Sequence, residues 1–269
     1  MADHFAFRIT PGSKFRLKDH DPNDTGELND DRQARKLLEA DVERLAGLHE
    51  KLYADNRYAV LVVLQGMDAS GKDGTIKHVM TGLNPQGVQV TSFKVPSEEE
   101  LDHDFLWRIH RALPRRGNIG IFNRSHYEDV LVARVEKLVS KDIWAKRFDQ
   151  INRFEELLSD TGMIIVKFFL HISKGEQKKR FEERIRNPGK RWKFSLGDLE
   201  VRKKWDQYME AYQDVLAKCG TAYAPWYVVP ADKKWFRNLA VAHTLVETLE
   251  SIDLKYPKPP AGLEGIVID

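Results

Sequence analysis

Cysteine is almost absent from this sequence of 269 residues, where Cys219 is the only one. One thiol cannot form an intramolecular disulfide or a thiolate zinc cluster, so both are excluded and a reducing, cytoplasmic setting is predicted. Long apolar runs are also missing. The longest, residues 58–64, is far shorter than the roughly 20 residues of a transmembrane helix, so neither export nor membrane insertion is predicted.

An excess of charge of one sign is missing as well, because 43 cationic and 41 acidic residues leave a net charge of +2. Any site for a polyanion must therefore come from local clustering. The sequence also has no G-x-S-x-G nucleophile motif, and His103, His110, His126 and His171 lack the spacing of zinc ligands. Covalent hydrolytic catalysis and a zinc site are therefore not predicted.

What the sequence does contain is an alternation of short apolar runs with amphipathic segments. This pattern predicts a five-stranded parallel sheet between two helical layers, a three-layer α/β/α arrangement. The strands are predicted at 59–64, 88–95, 119–122, 163–171 and 226–229, all largely buried. We expect one domain over 1–269, with an irregular N-terminal arm and a helix (31–55) within about 1–56, a lid insertion at about 174–197 and a tail at about 254–269.

A phosphate-binding loop is predicted directly after the first of these strands. Residues 66–72 match the G-x-x-x-x-G-K pattern between a strand and a helix, where main-chain amides can face an anion. The predicted loop residues are Gly66, Ala69, Ser70, Gly71, Lys72, Asp73 and Gly74. Because Asp73 stands where the pattern expects the Ser or Thr that binds magnesium, we expect Asp68 to hold the metal instead.

A second polar motif, residues 123–129, follows the strand at 119–122. Ligands of open α/β sheets bind at this carboxyl edge. Asn123 stands where a Walker B strand would end in Asp, which again shifts metal binding toward Asp68. Arg124 is expected to reach the transferred phosphoryl oxygens, with an ion pair to Glu128 as the competing reading. Glu128 is a second candidate for magnesium or the acceptor nucleotide, and an ordinary solvated residue is the alternative.

The third feature is a cationic segment, residues 174–193, which holds nine Lys and Arg against three Glu. Asn187, Pro188 and Gly189 should break its helix and offer a hinge, so that the segment could close over bound phosphates. A solvated helix face, a phosphate polymer and nucleic acid all remain compatible with this charge. Trp192 and Phe194 lie among the cations and would also suit base stacking.

Together these motifs resemble the polyphosphate kinase 2 family. The resemblance continues through residues 84–88, 170–173, 187–194 and 224–231 and covers nearly the whole chain. It implies a thymidylate-kinase-like P-loop kinase fold with a basic helical lid, and transfer of the terminal phosphate of inorganic polyphosphate to a nucleotide, AMP or ADP, to give ADP or ATP. It also implies Mg²⁺, with Mn²⁺ as a substitute, and a homo-oligomer, either dimer or tetramer.

The resemblance assigns roles to particular residues. Asp68, Lys72 and Arg124 are expected to be catalytic, with Asp68 as the magnesium ligand, while Asn123, Tyr127 and Glu128 are expected at the nucleotide. Family members that act mainly on ADP tend to carry Asp and Asn where this chain has Asn123 and Glu128, so the motif resembles the group that uses AMP and ADP. The cations expected along the polyphosphate path are Lys77, Arg180, Arg184, Lys190, Arg191 and Lys193.

Two other functions stay open at this point. An ATP-dependent nucleotide or small-molecule kinase would share the loop and the lid without needing an open basic channel. A non-catalytic module that binds polyanions or nucleic acid would need only the cationic segment. The family resemblance favours polyphosphate over nucleic acid as the polyanionic partner.

Overall fold

A computed structural model of the chain describes residues 5–263, 266 and 268, so the first four residues of the predicted arm and four positions of the predicted tail lie outside it. One mixed sheet organises the described residues. Its strands are β1 (Phe7–Arg8), β2 (Ala59–Gln65), β3 (Val88–Ser92), β4 (Ile119–Asn123), β5 (Met163–His171) and β6 (Trp226–Pro230). In space they follow the order β1-β6-β5-β2-β4-β3.

The five predicted strands are present and parallel, but the predicted strand count is wrong. A sixth strand, β1, pairs antiparallel with β6 through Phe7 opposite Val228. Two residues are too few to show the alternation that identifies a strand in sequence, which is why this part of the arm was expected to be irregular. The pairing covers what would otherwise be an open edge of the sheet at β6.

Ten α-helices connect or flank the strands within the described residues. They are α1 (Asp31–Asp55), α2 (Lys72–Val79), α3 (Glu98–Leu101), α4 (Trp107–Arg111), α5 (Val132–Val135), α6 (Lys141–Asp160), α7 (Lys174–Arg186), α8 (Leu196–Lys203), α9 (Trp205–Lys218) and α10 (Lys234–Glu250). The predicted bounds of α1 are confirmed. This helix begins after Asp30, whose carboxylate accepts from the amides of Arg32 and Gln33, and it ends at Asn56 in a left-handed conformation.

Helices α1, α2 and α10 pack together, whereas α6 contacts β5 and α5 contacts α9, in keeping with a three-layer α/β/α fold. Strand β2 is buried along its whole length, as predicted. The prediction that all five strands are buried is wrong for β3. This strand forms the other edge of the sheet, and Val90 is 48% exposed there.

The parallel register brings the carboxyl ends of β2, β4 and β5 to one edge of the sheet. The phosphate loop, the second polar motif and helix α7 follow these three ends directly. The fold therefore gathers at one edge the three segments that the sequence singles out. None of the described helices combines the length and apolar character needed to cross a membrane.

Candidate active site

The loop between β2 and α2 has the backbone of a tight anion-binding turn. Gly66 and Gly71 have φ of 149° and 106°, and Ala69, although it carries a side chain, has φ of 63°. A Cβ atom at Gly66 would lie 2.7 Å from the carbonyl oxygen of Leu170, so only glycine fits there. Helix α2 then begins at Lys72, and the first amides of a helix have no partner within it. They are available to an anion.

Lys72 lies beneath this turn and is buried. Its ammonium donates to the carbonyl oxygen of Gly66 at 2.7 Å and lies 3.4 Å from that of Met67. Burial, with the nearby Arg124 charge, lowers the pKa of Lys72 to about 8 against the attraction of Asp68 and Glu128. The lysine is therefore a charge that an incoming anion would stabilise.

The residues predicted to be catalytic meet at the mouth of the loop. Arg124 Nη2 donates to Asp68 Oδ1 at 2.7 Å, and Arg124 Nη1 lies 3.5 Å from Glu128 Oε2. The ion pair with Glu128 is thus present, and Arg124 also bonds Asp68 of the loop. Its reach to transferred phosphoryl oxygens stays a prediction. Its φ of 64° is a strained conformation for a residue with a side chain, which is typical of functional sites.

Asp73 and Asn123 join the two motifs at a second point. Asn123 Nδ2 donates to Asp73 Oδ1 at 2.8 Å. Lys193, from the cationic segment, lies 4.0 Å from the other oxygen of Asp73. The loop, the second motif and the cationic segment therefore come together around the start of α2.

The prediction that Tyr127 contacts the nucleotide is wrong. Its side chain is fully buried, and its hydroxyl donates to Glu155 at 2.8 Å and accepts from Lys167 at 2.8 Å. His126 also lies 3.1 Å from Glu155, so two neighbouring residues of the motif point into the core. Residues 126–129 form a 3₁₀ turn, and the sequence does not reveal which of its side chains face inward.

Arg180 also lies elsewhere than predicted. It was expected along the polyphosphate path, but it is buried, and its Nη1 donates to the carbonyls of Ala69 at 2.9 Å and Ser70 at 3.1 Å. Its Nη2 donates to Ala231 at 2.7 Å and Asp232 at 2.9 Å. Helix α7 turns Gln177, Arg180 and Phe181 toward the core, so a residue counted with the lid in fact lies behind the phosphate loop.

The remaining predicted lid cations are more accessible. Arg184 lies 3.7 Å from Asp198, Lys190 bonds Glu183 at 2.5 Å, and Arg191 donates to the carbonyl of Ile185. Lys77 is exposed on α2. The helix break predicted at residue 187 is present, because α7 ends at Arg186 and a 3₁₀ helix follows (Pro188–Lys193). Trp192 in that helix is 78% exposed. Whether the segment closes over phosphates stays a prediction.

Three residues at or behind the loop were not singled out from sequence: Gln177, Arg202 and Arg237. Gln177 Nε2 donates to the carbonyl of Asp68 at 2.9 Å, and Arg202 Nη1 donates to the oxygen of the same glutamine at 2.8 Å. Arg237 lies against Gly71 from α10. The available signal was a lone arginine in the mostly apolar stretch 235–246, which is an unusual residue to bury.

The described side chains could supply part of the coordination shell of a metal ion, but not all of it. Among the described residues, no three His, Cys, Asp or Glu side chains form a metal-binding group. Asp68 and Glu128 nevertheless present carboxylates on either side of Arg124, with side chains 17% and 16% exposed. Mg²⁺ usually takes one or two carboxylates and completes its shell with substrate phosphates and water, so this donor set fits it.

Comparisons with known proteins agree with these features. The family model described as Polyphosphate kinase 2 matches residues 27–257. An AMP/ADP-polyphosphate phosphotransferase of Meiothermus ruber is 53% identical over 264 residues, 98% of this chain and 99% of that protein. An ADP-polyphosphate phosphotransferase of Rhodopseudomonas palustris is 51% identical over 235 residues, 83% of this chain and 81% of that protein. The crystal structure of Polyphosphate Kinase 2 from Arthrobacter aurescens TC1 superposes with a TM-score of 0.90 at 44% identity, covering 94% of this chain and 90% of that one.

Proposed function

Because this chain belongs to the polyphosphate kinase 2 family, we propose that it transfers the terminal phosphoryl group of inorganic polyphosphate to AMP and to ADP. The observation that carries the proposal is the 2.7 Å bond between Arg124 and Asp68, which unites the phosphate loop with the second motif. A guanidinium at the mouth of an anion-binding loop can stabilise the charge of a phosphoryl group in transfer. With AMP or ADP as the acceptor, the transfer breaks one phosphoanhydride bond of polyphosphate and forms one in the nucleotide, so it should run in both directions.

The positions of the chain's residues support the roles that we propose for them. The amides at the start of α2 and the ammonium of Lys72 bind the phosphate oxygens, and Arg124 neutralises charge on the transferred group. Asp68 accepts a bond from Arg124 and so fixes the direction of its guanidinium. Little covalent chemistry falls to the protein, since positioning and charge supply most of the rate.

Magnesium belongs to the proposal, with manganese as a substitute. Asp68 would hold the ion, with Glu128 as the second candidate ligand, and the bound cation would neutralise charge on phosphate oxygens. We also include in the proposal a cytoplasmic setting, which the buried lone Cys219 suits, and a homo-oligomer, dimer or tetramer. Nucleic acid is not among the proposed partners.

Use of AMP as well as ADP is the finer part of the proposal. At Asn123 and Glu128 this chain resembles the family members that act on both nucleotides. The relative from Meiothermus ruber is named for both acceptors, whereas that from Rhodopseudomonas palustris is named for ADP alone. At 53% and 51% identity the two are nearly equally similar to this chain, so the acceptor must be measured.

The test incubates the full chain with Mg²⁺ and polyphosphate, without ATP, and with AMP or ADP in separate reactions. We expect ADP from the first reaction and ATP from the second, and Asp68→Asn serves as the inactive control. An ATP-dependent kinase would give no product until ATP was added. A non-catalytic polyanion-binding module would bind polyphosphate and give no product under any condition.

A further inference from the structure

Arg237 occupies the space behind the phosphate loop where a side chain of residue 71 would otherwise lie. It is buried, with 3% of its surface exposed, near the start of α10. A Cβ atom at Gly71 would be 1.8 Å from Arg237 Nη1, and one at Gly74 would be 3.2 Å from Nη2. A side chain at position 71 would therefore displace the Arg237 guanidinium, and the φ of 106° separately favours glycine there.

The contacts of Arg237 act on one peptide unit of the loop. Its Nη1 donates to the carbonyl oxygen of Ser70 at 3.1 Å, and the same oxygen accepts from Arg180 at 3.1 Å. Because a trans peptide is planar, the carbonyl of residue 70 and the N–H of residue 71 point in opposite directions. Two bonds that hold this carbonyl toward α10 therefore turn the N–H of Gly71 toward the opposite face, where the anion would lie. That N–H donates to no main-chain carbonyl within the described part of the chain.

Charge distinguishes the two arginines. Arg180 has an acidic partner, since its Nε lies 2.9 Å from Glu176. Arg237 forms no ion pair with any described carboxylate, and its other guanidinium donors bond the neutral side-chain oxygen of Asn238 at 2.8 and 3.2 Å. Burial and the neighbouring Arg180 lower the pKa of Arg237 to about 9. A buried cation without an anion is costly, and a bound phosphate would supply the missing charge.

We propose that Arg237 is a positioning residue of the phosphate loop, which aims the Gly71 amide at the bound phosphate and places an uncompensated positive charge behind it. The inference rests on the proposed function, because it assigns the loop to a polyphosphate or nucleotide phosphate. Its effect passes through the main chain of residues 70 and 71. It thereby gives a role to the arginine that lies in the mostly apolar stretch 235–246 of α10.

The experiment measures tripolyphosphate binding to the full chain by calorimetry at low and high salt, beside turnover with polyphosphate and AMP. Arg237→Met should weaken binding by about tenfold to hundredfold, the range that hydrogen bonds to charged groups contribute. Arg237→Lys, which keeps the charge and one donor, should recover most of that loss. The loss in Arg237→Met should persist at high salt, because buried charges are poorly screened. The matched control is Arg153→Met, an exposed arginine on α6.

Equal affinity in wild type and Arg237→Met, with both proteins folded by circular dichroism, would overturn the inference and leave Arg237 a purely structural residue. Binding that weakens equally in Arg237→Met and Arg237→Lys, or that recovers at high salt, would exclude the role of its charge. If Arg237→Met does not fold, Arg237→Lys decides alone, since it must then bind tripolyphosphate within a few fold of wild type. A wild-type protein that binds tripolyphosphate without turnover would refute the proposed function but not this inference.

Discussion

The two polar motifs at the carboxyl edge of the sheet are supported from behind in opposite ways. Behind the phosphate loop lie cations and an amide, Arg180, Arg237 and Gln177, which donate to the carbonyls of residues 68–70. Behind the second motif lies a fully buried carboxylate, Glu155, which accepts from His126 and Tyr127. One support donates to main chain, and the other accepts from side chains.

The difference follows from which groups each motif presents to the ligand. In the loop the groups proposed to bind phosphate are main-chain amides, so the supports must bond the carbonyls and leave the N–H groups free. In the second motif the groups proposed to act on the ligand are the side chains of Arg124 and Glu128. The side chains between them, His126 and Tyr127, can therefore bond the core. Their partner Glu155 forms a buried ion pair with Lys167 at 2.5 Å.

The largest effect is expected where the two motifs meet, at Asp68. Asp68→Asn removes the carboxylate that bonds Arg124 and would hold the metal, and Lys72→Ala removes the buried charge beneath the loop. Each should lower turnover with polyphosphate by on the order of 10³-fold, comparable with loss of a main charge-stabilising group. Initial rates of ADP formation from AMP give the measurement. Thermal unfolding should show an intact fold.

The control for that change is Asp149→Asn, an exposed aspartate on α6 that pairs with Arg153. It should leave turnover unaltered. Turnover within a few fold of wild type in Asp68→Asn would mean that the bond between Arg124 and Asp68 has no part in the transfer.

Much of this arrangement could be predicted from the sequence, because periodicity and motif spacing depend on local chain geometry. The five parallel strands and helix α1 follow from periodicity, and the loop at 66–72 follows from motif spacing. The nearness of Asp68 and Arg124 follows from strand ends gathered at one edge of the sheet. Strand β1 could not be predicted, since its pairing with β6 depends on residues more than 200 positions away.

The inward or outward direction of side chains was the part that the sequence left open. Tyr127 and Arg180 belong to the motif and the cationic segment that were expected to bind ligands, yet both side chains are buried and support those segments from inside. Local composition does not separate an arginine that faces a phosphate from one that bonds a carbonyl behind the loop. Arg237 was missed because its partner, Ser70, is 167 positions away in the chain.

The buried support behind the second motif can be weakened by Glu155→Gln. This change leaves Lys167 buried without its ion pair, which should lower the free energy of unfolding by about 3–5 kcal/mol. Burial alone would raise the pKa of Glu155, but Lys167 and His126 outweigh it and hold the pKa below its usual value. The stabilisation is therefore complete above the pKa of the unfolded chain and is lost as the pH falls through the folded value. Urea unfolding at pH 7 and at acid pH measures both.

A matched double variant separates charge from packing in this test. Glu155→Leu combined with Lys167→Met removes both charges, so it should be more stable than Glu155→Gln despite two changes. Free energies of unfolding in the order wild type, Glu155→Gln, double variant would contradict the view that an unpaired lysine causes the loss.

A smaller effect is expected in the pH dependence of tripolyphosphate affinity, because Lys72 of the loop titrates near pH 8 and Arg124 of the second motif does not. Burial and Arg124 lower the pKa of Lys72 to about 8, so above that pH the free protein holds a neutral lysine that must take up a proton when an anion binds. Tripolyphosphate affinity should therefore fall by up to about tenfold per pH unit above pH 8. The Arg124 guanidinium stays charged over this range. Calorimetry from pH 7 to 9.5 provides the measurement.

Lys72→Met is the reference for this pH series, because protonation of the ligand itself affects both proteins equally. It should bind more weakly at pH 7 and should lack the additional decline above pH 8. Parallel pH profiles for the two proteins would show that Lys72 does not change its protonation when the anion binds.

The smallest effect is expected at Arg191. This residue is exposed, whereas Arg180 of the same cationic segment is buried. Among the described residues, the Arg191 side chain bonds only the carbonyl of Ile185, and it lies in the exposed 3₁₀ helix. Its attraction to polyphosphate should therefore be a solvent-screened one that weakens as salt is added. Arg191→Ala should raise the KM for polyphosphate a few fold, leave kcat nearly unaltered, and make KM less sensitive to salt. Arg153→Ala, the exposed control on α6, should change neither constant. Equal losses with every substrate and at every ionic strength would remove Arg191 from the polyphosphate path, and would leave the buried cations behind the loop as the segment's contribution to binding.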